Sequence, residues 1–100
     1  MAVTIRTHRT TFFPQLGKPK LYLVSMHYDK YISWEFSIRV LMEVFHKSRE
    51  KAEAITHEIL TDGEGICGAY MFEIAESKAK IVEDLAKKEG FSLWFLIEEV

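Results

Sequence analysis

The chain has 100 residues, 48% apolar and 28% charged, with a net charge of −2. That is enough chain for one globular domain, and it excludes a multi-domain enzyme, a collagen-like repeat and, with Cys67 as the single cysteine, a disulfide-stapled miniprotein. The longest apolar run, Leu93 to Ile97, is far short of the ~20 residues of a membrane span, and near-neutral charge gives no pull toward nucleic acid.

Charge is unevenly placed. Residues 1–18 carry Arg6, Arg9 and Lys18 and no acid, whereas residues 19–100 carry the other bases and all 15 acids. Pro14, Gly17 and Pro19 punctuate the junction. Residues 1–18 therefore read as a basic, flexible N-terminal arm, or as a leader that pairs with a sheet edge, and residues 19–100 as the domain. The start has no apolar core of a secretory signal, so the expectation is a cytoplasmic protein.

Leu21 to His27 is short and β-rich, which predicts a strand. Ser33 is a candidate N-cap with Glu35 in the first turn. Trp34, Ile38, Leu41, Met42 and Phe45 then recur at helical spacing, predicting a helix to about Lys47. Ser48 caps a second helix marked by Ala52, Ile55, Ile59 and Leu60 and ending at Thr61-Asp62-Gly63. Gly63 to Tyr70 is too glycine-rich for a helix and reads as a turn into a strand, with Gly68 a close backbone approach. Phe72 to Glu89 predicts a long helix with Ile74, Ala75, Ile81, Val82, Leu85 and Ala86 on one face, stopped by Gly90. Leu93 to Glu98 is the last strand. The order β-α-α-β-α-β predicts an α/β (α+β) two-layer sandwich, a three-stranded antiparallel sheet packed by three helices.

No arrangement points to catalysis. His27 and Asp29 lack further metal ligands, and His46 and His57 have no ligand spacing, so these three of the four histidines read as ordinary side chains. Cys67 has no positioned base and reads as a small buried residue. Gly63-x-Gly65-x-x-Gly68 matches a dinucleotide-binding string but precedes a strand instead of opening a helix. The expectation is a monomeric binding domain that is not an enzyme, with no metal, cofactor, nucleic acid or membrane as partner.

Three segments read together: Trp34-Glu35-Phe36, Gly63-x-Gly65-Ile66-Cys67-Gly68 and Glu73-x-Ala75-Glu76-x-Lys78. From about Pro19 to Val100 the chain resembles the ClpS family, the adaptors of Clp AAA+ proteases. The resemblance implies a non-enzymatic adaptor that docks on the N-terminal domain of a ClpA- or ClpC-type unfoldase and presents N-degron substrates to it. It implies unfoldase contacts at Glu73, Glu76 and Lys78. It places the degron pocket at Tyr28, Asp29, Lys30, Ile32, Trp34, Ser37, Thr56, Ile59, Leu60 and Leu93. At these positions the family's asparagine is Tyr28 and its histidine is Leu60, which cannot accept a hydrogen bond from a substrate ammonium. Lys30 replaces a second acid, and Trp34 is large enough to fill the cavity or to pack as core. The implied function is unfoldase docking with N-degron reading weakened or altered. The alternatives are an ordinary degron adaptor holding the ammonium with Asp29 and Tyr28, and a stand-alone interaction domain of the same fold.

Overall fold

The computed structural model describes residues 4–8, 20–28 and 31–100, the first five by their backbone. The elements are β1 (Thr4–His8), β2 (Tyr22–Tyr28), α1 (Trp34–Glu43), α2 (Arg49–Asp62), β3 (Glu64–Tyr70), α3 (Phe72–Glu89) and β4 (Leu93–Glu99). The three expected strands form an antiparallel set, with β2 between β3 and β4. The sheet has a fourth strand beyond the expected three. Thr4–His8, inside the segment read as an arm, pairs parallel to β4, giving the order β1-β4-β2-β3.

Alternation along the strands fixes the core. Tyr22, Val24 and Met26 of β2 and Leu93, Phe95 and Ile97 of β4 are buried. They join Phe36, Val40 and Leu41 of α1, Ala52 and Ile59 of α2, and Ala75, Ala79, Val82 and Ala86 of α3 in one cluster. Local chemistry fixes the helix ends. Ser33 Oγ accepts from the Phe36 N–H at 3.1 Å and Ser48 Oγ from the Lys51 N–H at 3.2 Å. Gly63 and Gly90 end α2 and α3 in the left-handed region, at φ 88° and 80°.

Three expectations need correction. The first helix stops at Glu43, not near Lys47, because His46 takes a left-handed φ of 56° and Phe45 turns into the core beside Tyr70 and Phe95. On α3, Ile74 and Ile81 do not face the core: they are 43% and 50% exposed, and Ala79 takes a buried place. Four small or β-branched residues, Ala75, Ala79, Val82 and Ala86, let the helix lie close on the sheet. Trp34 lies at the surface, 39% exposed, so it is not core. Gly68 behaves as expected: at φ 154°, a Cβ there would sit 2.7 Å from the Tyr70 hydroxyl.

Candidate functional site

The candidate recognition site lies at the open end of the α1–α2 hairpin. Ser37 Oγ and Thr56 Oγ1 meet at 2.7 Å across the two helices, and both residues are fully buried. This contact sets the pairing of the hairpin. One turn farther from its loop lie Trp34 on α1 and Leu60 on α2, 39% and 40% exposed. Tyr28, half-buried, ends β2 opposite Leu93 of β4. Ile32, Ile59 and Leu93 are buried with the hydroxyl pair. Asp29 and Lys30 lie outside the described residues.

The described positions thus separate into a buried base and an exposed rim. The base is Ile32, Ser37, Thr56, Ile59 and Leu93; the rim is Trp34 and Leu60, with Tyr28 between. The sequence reading missed the aromatic group beside α1: Phe91 lies 4.9 Å from the Phe36 ring and 5.8 Å from Tyr31. Arg39 stands over Phe36 and pairs with Glu89. The available signal was Tyr31 just before a helix cap and Phe91 just after a helix stop. Chemically the base is buried and apolar apart from one hydroxyl pair satisfied internally, and the apolar groups exposed above it are Trp34 and Leu60.

The second cluster lies on α3. Glu73 and Glu76 are exposed. Lys78 is committed within the fold: its Nζ donates to the Val44 carbonyl at 2.6 Å and sits 5.2 Å from the Tyr70 ring centroid. The last turn of α1 has no basic residue of its own, so Lys78 supplies the cation that its carbonyl end favours. Met71, Ile74 and Ile81 leave apolar surface exposed on the same element and its cap.

The remaining chemistry is structural. His27 stacks on Trp94 at 3.9 Å and lies 3.4 Å from Glu64. His46 and His57 are exposed. Among the described residues no group of His, Cys, Asp or Glu side chains could hold a metal ion, and no helix is long and apolar enough to cross a membrane. Cys67 is fully buried, and burial pushes its thiol up to about 12.

Comparison with known proteins agrees with this architecture. The family model described as "ATP-dependent Clp protease adaptor protein ClpS" matches residues 17–96. The chain is similar to the ClpS adapter of Helicobacter hepaticus, 44% identical over 85% of this chain and 86% of that protein. It is 46% identical to the ClpS adapter of Nitratidesulfovibrio vulgaris over 82% of this chain and 79% of that one. Among solved structures, Agrobacterium tumefaciens ClpS2 bound to L-phenylalaninamide matches with a TM-score of 0.76 and 35% identity, covering 83% of this chain and all of that one. On its fold, its motifs and these similarities, the chain belongs to the ClpS family of ATP-dependent Clp protease adaptors.

Proposed function

We propose that this protein is a cytoplasmic, monomeric adaptor that docks through α3 on the N-terminal domain of a ClpA- or ClpC-type unfoldase, and whose N-degron reading is weakened or altered. Glu73 and Glu76 make the docking contact, and Lys78 contributes by holding the end of α1 in place. The observation that supports the altered reading is the base of the recognition site, with Ser37 and Thr56 fully buried and bonded to each other at 2.7 Å. A relative, ClpS2, was solved with an aromatic amino-acid amide bound. Leu60 offers no acceptor to the ammonium of such a ligand. One missing hydrogen bond to a charged group costs about 1.5–3 kcal/mol, or roughly 10- to 100-fold in affinity.

Titration with peptides beginning in Leu, Phe, Tyr or Trp tests this. Binding much weaker than that of an ordinary family member is expected. Low-micromolar binding that vanishes on N-acetylation and with Asp29→Ala would establish the ordinary degron adaptor using Asp29 and Tyr28 instead.

A further inference from the structure

We infer that the groove between the end of α2 and the outer face of the sheet binds an arginine-bearing peptide segment of a partner protein, through Glu58, Asp62, Glu64 and Glu98 set around the apolar side chains of Leu23 and Ile66. The groove holds about 280 Å³ and shares no described residue with the hairpin end, so the inference stands apart from the reading above.

Three observations carry it. First, strand register gathers the lining. Leu23 alternates with the core residues Tyr22 and Val24, Glu98 stands opposite it on β4, and Ile66 and Glu64 stand opposite Ser25 and His27, so all share the sheet face turned away from the core. Second, the charge is one-sided. Among the described residues that line the groove none is basic. Glu64 has His27 at 3.4 Å, while Glu58, Asp62 and Glu98 are exposed and make no ion pair with any described residue. Third, two of these acids work against their own helix. Glu58 and Asp62 are like charges at (i, i+4), and Asp62 ends α2, where the carbonyl end disfavours an acid and the last turn has no base to offset it. Local rules broken with no compensation inside the fold mark a place where a partner of opposite charge supplies it. The spread of the acids around apolar groups selects that partner. Among the described residues no group of His, Cys, Asp or Glu could hold a metal ion, and a small hydrated ion would leave Leu23 and Ile66 uncovered. A guanidinium pairs with carboxylates through its planar fork while its stem lies along apolar surface.

The test uses the full chain, isotope-labelled, and a short peptide Gly-Arg-Leu-Arg-Gly, acetylated and amidated so that its only charges are the arginines. Binding is read from backbone amide shifts. Saturation below about 1 mM is expected, with the largest shifts from Asp62 to Ile66 and at Leu23 and Glu98. The same peptide with glutamine in place of arginine is expected not to saturate. Glu58→Gln with Asp62→Asn should weaken the arginine peptide about fivefold or more. Urea unfolding of that variant is expected to be unchanged or later, which separates lost recognition from lost folding. Glu43→Gln with Glu50→Gln removes two exposed acids elsewhere and is the control for net charge; it should leave the affinity within about twofold. No saturation by the arginine peptide overturns the inference, as does equal binding of the glutamine peptide or equal weakening in the control variant. Shifts at Ile66 that grow with protein concentration alone would put a second copy in the groove and also overturn it.

Discussion

The hydroxyl pair Ser37–Thr56 is the sharpest single-residue determinant of the site, because each group is satisfied by the other in a fully buried setting. Ser37→Ala strands the Thr56 hydroxyl and is expected to cost about 1–3 kcal/mol in urea unfolding, whereas Ser37→Ala with Thr56→Val together should be nearly neutral. Tyr22 is the opposite case. Among the described residues its hydroxyl is the buried side-chain polar atom without a hydrogen-bond partner. Tyr22→Phe is expected to raise stability, by up to about 1 kcal/mol, on the same measurement. Cys67 makes stability depend on pH at the alkaline end. Its pKa is raised from 9.0 to about 12 by burial, so its contribution is whole below pH 9 and is lost as pH rises toward 12. The loss approaches about 1.4 kcal/mol per pH unit, and Cys67→Ala should flatten that limb of the stability profile.

At the scale of elements, Lys78 joins α3 to the end of α1, and Tyr70 of β3 donates to the Phe45 carbonyl beside it. Lys78→Met keeps the stem and removes the ammonium. It is expected to cost about 1 kcal/mol, seen as earlier urea unfolding. Glu73→Ala, an exposed change in the first turn of the same helix, should cost no more than about 0.3–1 kcal/mol. The elements themselves were legible wherever local chemistry decides. Ser33, Ser48, Gly63 and Gly90 mark ends that depend only on caps and left-handed turns. The buried face of α3 was legible in part: Ala75, Val82 and Ala86 are buried as expected, but Ile74 and Ile81 have a helical spacing of their own, and only the closeness of the sheet selects Ala79 in their place. The early end of α1 was hidden for a similar reason. Phe45 continues the apolar spacing but reaches the core from a turn. Thr4–His8 has no strong strand pattern, and its pairing depends on the edge that β4 presents. The ten expected pocket positions could be named from the resemblance, yet the division of the eight described ones into base and rim comes from tertiary packing. The Ser37–Thr56 bond spans 19 residues, and its only trace in sequence is one small hydroxyl residue within each apolar helix stripe.

For the molecule as a whole, the fold places two surfaces on different helices: the hairpin end, proposed to read a peptide, and α3, proposed to meet the unfoldase. The segment before β2 is a third part. Removing residues 1–18 takes away β1 and uncovers the β4 edge, so amides of Trp94 to Glu98 on that edge should exchange faster. We expect docking to survive that deletion and delivery of a model substrate to suffer. The claim on which the account turns is that the protein docks through α3. The most direct test is calorimetric titration of the full chain with the N-terminal domain of its cognate Clp unfoldase, beside Glu73→Ala. The account predicts saturable binding that Glu73→Ala weakens about tenfold or more while the fold is unchanged. No binding by the unaltered chain, or binding indifferent to Glu73→Ala, would contradict it, and the absence of binding would favour a stand-alone interaction domain.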